Sequence, residues 1–401
     1  MGRSFDAVVA GHLCIDVYPE FLSASGGSGA EAVLETFVPG KLVEVGPLTL
    51  CTGGCVPNTG LALLKLGIKA VLMGKVGTDA FGPVLRTLLA ERGADARLVV
   101  VDGQTTSYTV GLALPGADRI FLHHPGPNDT FCADDVDYDL VAQARLFHLG
   151  YPPLMRGMYQ DGGRELARIL SRVRELGTLT SMDMALPDPA SPAGKADWPG
   201  ILARSLPFVD VFLPSAEETL YMLDRPGFDR RMKQARAGSI LDGLSGEDLA
   251  KLTDKLLACG CKVAAIKCGH RGIYVRTAEF ANPFAPPAAA ASWAGRELWE
   301  PVFKVEHFAS AAGAGDCTIA GFLASLLRGL PLEDSLRYAT AVGAENVEAM
   351  DPSSGVHSWD EISARIDAGW AKDGLDAAGA GWSFDRRRQA WRGPHDKEKS
   401  S

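Results

Sequence analysis

No apolar run in the chain approaches the length of a membrane span, so a membrane-spanning helix is not expected. The first residues, Met1-Gly-Arg-Ser-Phe-Asp6, lead straight into a short strand-like run and lack the apolar core of a signal peptide. The cytoplasm is therefore the expected compartment. Basic excess is missing as well. Lys and Arg total 40 against 49 Asp and Glu, a formal net charge of −9, which argues against a general nucleic-acid binder. The eight cysteines lack finger-like spacing: Cys51-x3-Cys55 and Cys259-x-Cys261 have no second pair at the required distance. Buried free thiols in a reducing compartment are expected. What remains is ordinary for a globular protein, with 46% hydrophobic and 22% charged residues. A length of 401 residues suffices for one large α/β domain or two smaller ones with a sizeable core.

The stretch that organises the chain is Ser310-Ala-Ala-Gly-Ala-Gly-Asp-Cys-Thr-Ile-Ala-Gly-Phe322. Gly313, Ala314 and Gly315 suit a turn whose backbone comes close to a ligand. The apolar run Ile319 to Leu327, closed by Gly329, reads as a buried helix. The first turn of a helix carries unpaired N–H groups and partial positive charge, so this junction is an anion cradle. Asp316 sits where a bound phosphate would be, placed to take a proton from an attacking hydroxyl. A plain N-cap on a core helix is the competing reading of Gly-Ala-Gly-Asp taken alone.

Along the chain, Phe5 to Ala10 reads as a first buried strand, with Asp16 just beyond it. A carboxylate past the C-terminal end of a strand is where open α/β sheets hold ligands. Residues 21–36 look like a Ser/Gly/Ala-rich loop, and Lys41–Val45 and Leu48–Cys51 like strands. Thr52-Gly-Gly-Cys-Val-Pro-Asn58 opens a helix that ends at Gly67. Ser107–Leu114 and Arg119–His123 have strand character around a Pro115-Gly116 turn. From about residue 130 strands alternate with helices, which implies a mostly parallel sheet with helices on both faces. The strands at 37–51 and 105–123 break that rhythm and fit a small antiparallel sheet projecting from the body. Residues 281–296 read as an irregular loop and Pro301–His307 as a strand. The domain is expected to span 1–365, with lid strands within about 15–51 and 104–125. Residues 366–401 turn polar and basic and read as a frayed tail. His123-His124 reads as a strand-end pair. Asp183 and Asp188 read as turn residues of a Pro-rich loop and stay outside the expected site.

Two motifs give the chain its resemblance to the PfkB, or ribokinase-like, carbohydrate kinases over roughly residues 5–360. One is Gly53-Gly54-x3-Asn58 running through Leu66-Gly67 to Gly77-x-Asp79-x-Phe81-Gly82. The other is Gly313-Ala-Gly-Asp316-x4-Gly321-Phe322. The resemblance implies transfer of a phosphoryl group from ATP, with Mg²⁺, to a primary hydroxyl of a sugar or nucleoside. It implies Asp316 as base and the N–H groups of Gly313, Ala314, Gly315 and Asp316 as the anion hole. A carboxylate at a helix N-terminus is expected to have a low pKa. Asp16, Gly53, Gly54, Asn58 and Asn128 match acceptor-contact positions. Lys267-x-Gly269-x2-Gly272 matches the nucleotide loop, and Thr340 and Gly343 lie where the family packs adenine. Ser215-x-x-Glu218 stands where the family has Asn-x-x-Glu, which organises Mg²⁺ through water; Glu218 is kept. Ser310-Ala311-Ala312 replaces the Asp-Thr-x that helps the ribokinases hold potassium, so the resemblance does not extend to a monovalent-cation site. The projecting strands look like the family's lid, which in many members also mediates dimer contacts. Two rivals to a sugar kinase stay open: a nucleoside kinase using Phe121 and Tyr108 as a lid clamp, and a sugar-binding regulator without catalysis.

Overall fold

Ala7 and Val9 of the first strand join one hydrophobic core, while Val8 and Ala10 join another. That alternation is the strand period of two, and it puts a core on each face of the sheet. The computed structural model describes residues 3–21, 36–113, 120–235, 239–375, 379 and 381–398. The expected loop within 22–35 and the Pro115-Gly116 turn lie outside the described residues.

Among the described residues the main sheet has eleven strands. Its parallel part runs, in spatial order, through Val263–Lys267, Val211–Phe212, Leu179–Met182, Ala144–Gly150, Phe5–Gly11, Ala70–Gly77 and Asp95–Val101. Beyond Val263–Lys267 the strands Ile273–Thr277, Glu297–Glu300, Ala390–Arg392 and Ser383–Asp385 continue it antiparallel. Val8, Val9 and Ala10 are wholly buried, as a strand covered by helices on both faces must be. A separate sheet of four strands has the order Leu48–Gly53, Cys14–Pro19, Tyr108–Leu112, Ile120–His124. No helix among the described residues is long and apolar enough to cross a membrane.

Four local expectations are corrected. The small sheet is mixed rather than antiparallel, because Cys14–Pro19 pairs parallel with Tyr108–Leu112. Lys41–Val45 forms no strand; Leu42 is 94% exposed, and the alternation there has no core to face. Pro301–His307 contributes only the bridge of Phe303 to Lys372, and the strand lies earlier, at Glu297–Glu300. Pro301 has no N–H for a ladder, so it closes that strand instead of opening one. Within 281–296, Pro287–Ala291 forms a short helix.

The polar C-terminal end is also not frayed. Its two strands extend the main sheet past Glu297–Glu300. Arg296 and Asp396, both nearly fully buried, pair at 2.9 Å, and Arg296 reaches Glu333 at 2.8 Å. The polar composition hid this because the segment is held mainly by pairing and by buried charge. All eight cysteines are free; six are buried and Cys132 and Cys259 half-buried.

Candidate active site

The helix Ala314–Leu327 begins at Gly313, whose φ of +71° is left-handed. A Cβ on Gly313 would lie 2.0 Å from the Pro352 carbonyl oxygen, so both backbone and space demand glycine there. The Ala314 N–H donates to the Ala311 carbonyl at 3.2 Å. Of the expected anion-binding amides, that of Ala314 is thus engaged in a turn bond, although Ala314 lines the same cavity as Gly315. Gly315 and Asp316 sit in the first turn, where amides have no intrahelical acceptor.

Asp316 is 3% exposed and held from two sides. Asn58 Nδ2 donates to its Oδ2 at 2.9 Å. The Tyr151 hydroxyl lies 2.9 Å from Oδ1 and 2.8 Å from Oδ2. Asn58 is in the first half of the helix Cys55–Lys65, which Gly54 precedes, so it does not cap that helix; its amide ties the two motifs together across 258 residues. Burial raises the Asp316 pKa from its ordinary value, against the lowering by Asn58, Tyr151 and Lys267. The low value expected from the helix terminus is therefore corrected.

On the acceptor side, Asp16 lies on Cys14–Pro19 opposite Cys51. A Cβ on Gly53 would sit 2.3 Å from the Asp16 carboxylate, so that carboxylate occupies the space a side chain at 53 would fill. Burial raises the Asp16 pKa, and hydrogen bonds from Cys14, Thr109 and Tyr18 oppose that. His12 is buried with both ring nitrogens unpartnered, its ring 5.2 Å from that of His123 and 6.1 Å from that of Tyr151. Desolvation lowers its pKa to about 3, which makes it a neutral imidazole. Asn128 is fully buried and spends its amide on the Leu13 backbone, donating to Leu13 O at 2.9 Å and accepting from Leu13 N at 3.4 Å. In this structure it braces the corner between the first two strands.

Below the helix terminus, Lys267 donates to Leu213 O at 2.5 Å and lies against Gly315, where an added Cβ would meet its Cε at 3.5 Å. Asp183 is 1% exposed; its Oδ2 has no partner and its Oδ1 lies 3.7 Å from His148 Nε2. Burial pushes the Asp183 pKa well up and the His148 pKa down to about 3, so this pair is not a salt bridge. Ser215 caps the helix Ala216–Leu223 in a reciprocal box. Glu218 N donates to Ser215 Oγ at 3.1 Å, and Ser215 N donates to Glu218 Oε2 at 2.6 Å.

A cavity of about 340 Å³ opens on the other side of Gly315. Lys267, Gly269, Gly272, Gly315, Thr340 and Gly343 line it, with Phe303 and Val305 forming part of an apolar wall. The structure thus gathers the expected nucleotide loop, anion turn and adenine positions around one space. Ser215 and Glu218 do not line it.

Sequence reasoning missed Tyr151 and passed over Asp183 and His12. Tyr151 follows the strand Ala144–Gly150 in the left-handed region, at φ 58°. No pattern in one sequence marks a tyrosine for that conformation, which costs about 1–3 kcal/mol. Asp183 carried the signal available, a carboxylate at the end of a parallel strand. The prolines that follow it disguised it as a turn residue.

The sequence profile described as pfkB family carbohydrate kinase matches residues 28–359. A protein of Archaeoglobus fulgidus named an uncharacterized sugar kinase is 24% identical over 298 residues, 74% of this chain and 98% of that one. A 5-dehydro-2-deoxygluconokinase of Photobacterium profundum is 22% identical over 349 residues, 86% of this chain and 89% of that one. Among solved structures, Arabidopsis thaliana ribokinase complexed with ribose and ATP superposes with a TM-score of 0.67 at 16% identity, covering 91% of this chain and 98% of that one. That likeness shows the ribokinase-like fold.

Proposed function

The chain belongs to the pfkB family of carbohydrate kinases, and on that premise we propose that it transfers the γ-phosphoryl group of ATP to a primary hydroxyl of a sugar or sugar-like polyol. One observation carries this reading. Asp316 is tied to Asn58 on the acceptor side, while Gly315, one residue earlier, lines the apolar-walled cavity. The acid and the amides beside it stand at the junction of two compartments, as in-line phosphoryl transfer needs.

In this reading Asp316 orients the acceptor hydroxyl and takes its proton as the new O–P bond forms. The amides of Gly315 and Asp316, with the charge of Lys267, hold the transferring group where negative charge gathers. Asp16 and the Gly53-Gly54 turn receive the other hydroxyls, since a carboxylate can accept from two at once. Gly269, Gly272, Thr340 and Gly343 bound the nucleotide. The oxygen-rich set of Asp183 and Glu218 fits Mg²⁺, a hard cation that keeps several waters. Asp183 brings an unpartnered buried oxygen to it, and Glu218 keeps Oε1 outside its capping bond. When bound, the ion would neutralise phosphate charge. The strands Ala390–Arg392 and Ser383–Asp385 belong to the main sheet, so we extend the kinase domain past residue 365 to include them, with the small sheet as a lid that closes over the acceptor and excludes water. That sheet exposes Leu48, Phe121 and Leu122, apolar side chains that a homodimer would cover; sedimentation equilibrium tests it.

A nucleoside kinase is less well supported. Tyr108 packs edge-on against Phe81 at 5.8 Å instead of standing free to stack on a base. A screen of ATP consumption over pentoses, hexoses, polyols and nucleosides decides between these readings. A compound that raises the melting temperature without turnover would instead favour a non-catalytic regulator.

The nucleotide side has its own test. Gly315→Ala adds a Cβ that meets only Lys267, at 3.5 Å, so the helix folds as well or better. The methyl group narrows the approach to the first-turn amides. The KM for ATP is expected to rise about tenfold, equivalent to about 1.4 kcal/mol, with the melting temperature unchanged or higher. An unchanged KM would place the phosphates elsewhere.

A further inference from the structure

The kinase reading leaves one group without a task. Tyr151 is half-buried, its backbone is held left-handed, and its single hydroxyl proton is shared between both oxygens of Asp316. Asn58 already occupies Oδ2. An acceptor hydroxyl has to hydrogen-bond this same carboxylate before it can attack, and Asp316 is only 3% exposed. The phenol therefore stands where the reacting alcohol must go.

We propose that Tyr151 is a displaceable cap on Asp316, a hydroxyl built into the chain that occupies the base until an acceptor alcohol takes its place. The proposal rests on the kinase reading and adds a positioning residue to it. Its consequence concerns water. A kinase with ATP bound and its base open would let a water donate its proton to Asp316 while the water oxygen bonds to the γ-phosphorus. The bond from phosphorus to the bridging oxygen of ADP would break, releasing inorganic phosphate and ADP. With the phenol on both oxygens, a water has to compete with it for the carboxylate. A polyol held at Asp16 and the Gly53-Gly54 turn brings enough binding energy to displace the phenol; a lone water does not. The backbone supports the same view. A tyrosine kept at φ 58° in front of Pro152 is a strained arrangement of the kind that persists at functional sites.

The experiment measures phosphate release from Mg·ATP with no acceptor present. Tyr151→Phe is expected to release phosphate roughly tenfold faster than wild type, a fraction of the 10²–10⁴ that a positioned base supplies. The double variant Tyr151→Phe/Asp316→Asn returns to the wild-type rate, because the gain passes through Asp316. A merely structural role would not produce that reversal. The acid limb of the pH profile moves to higher pH in Tyr151→Phe, since the phenol's hydrogen bond lowers the Asp316 pKa. Should phenylalanine fail to fold, Tyr151→Gly removes the phenol in a residue at ease with positive φ, and the same increase is expected. Acceptor-free release no faster than wild type in the variants that fold overturns the cap. The two readings fail differently. If wild type makes no phosphorylated product from any acceptor, the kinase reading falls and takes the cap with it. If wild type works and the Tyr151 variants stay flat, the cap alone is wrong.

Discussion

Asp316→Asn is expected to lower kcat by roughly 10²–10⁴ and to leave the KM for ATP little changed. The substitution keeps the shape of the side chain and removes its ability to take a proton. It also spoils the local pairing. Asn58 Nδ2 and the Tyr151 hydroxyl both donate to the carboxylate, and an amide at 316 offers only one oxygen between them. Stability is expected to go the other way. Burial raises the folded-state pKa of Asp316 above its unfolded value. The group's contribution is therefore complete below the unfolded pKa and is lost as pH rises through the folded one. A neutral amide escapes that loss. At neutral pH the variant should melt at or above the wild-type temperature, and the difference should shrink as the solution is acidified. Lost turnover with undiminished stability separates a missing base from a damaged fold. The same upward shift moves the acid limb of the wild-type rate profile to higher pH than an unshifted aspartate would give. A variant that keeps full turnover would remove Asp316 from the chemistry.

Arg296→Met is expected to be the most destabilising single change on the C-terminal side. Arg296 is 1% exposed, and its guanidinium holds Asp396 at 2.9 Å and Glu333 at 2.8 Å while donating to Ser292 O at 2.8 Å. Its own charge is kept by those carboxylates despite the burial. Methionine fills the volume, leaves Asp396 in the interior without its cation and leaves Glu333 only Arg388, at 3.5 Å. Breaking such a buried pair costs about 3–5 kcal/mol, which for a chain of this size lowers the melting temperature by on the order of 5–10 °C. Arg296→Lys keeps the charge but cannot serve both acids with a planar fork, so it should fall between the two. Thermal melts of the three proteins check this. The loss should be mirrored by early proteolysis after residue 375, because Asp396 anchors the last strands to the sheet. A methionine variant as stable as wild type would mean that strand pairing and the packing of Trp382 and Trp391 hold the segment without Arg296.

What could be read beforehand follows the strength of local signals. The parallel body was legible because strands such as Val263–Lys267 are short apolar runs bounded by Gly and followed by turn residues. Gly313 to Asp316 stood out as small residues before an apolar helix, a pattern that a plain N-cap also shares, and the cavity gathers Lys267, Gly269, Gly272, Thr340 and Gly343, the positions the family resemblance named. The Asn58–Asp316 contact depends on packing across the whole domain, yet the order of the two motifs pointed to it. Tyr151 was hidden because its role comes from a backbone angle and from a partner 165 residues away. The C-terminal strands were hidden for a different reason. Their composition is that of a solvated tail, and only the buried Arg296 and the open edge at Glu297–Glu300 give that polarity a place to go. Asn128 shows the converse: it sits near the acceptor side, yet its amide is used on the Leu13 backbone.

The central claim is that the Asp316 carboxylate and the amides around Gly315 join a polyol to the γ-phosphate of ATP. Its most direct test is product analysis by ³¹P NMR and mass spectrometry, with wild-type protein, Mg·ATP and each member of the sugar panel. A phosphomonoester on a primary carbon of at least one sugar is expected, formed in step with ADP and missing when Asp316→Asn replaces wild type. ADP appearing only with inorganic phosphate, at a rate indifferent to every sugar offered, would contradict it.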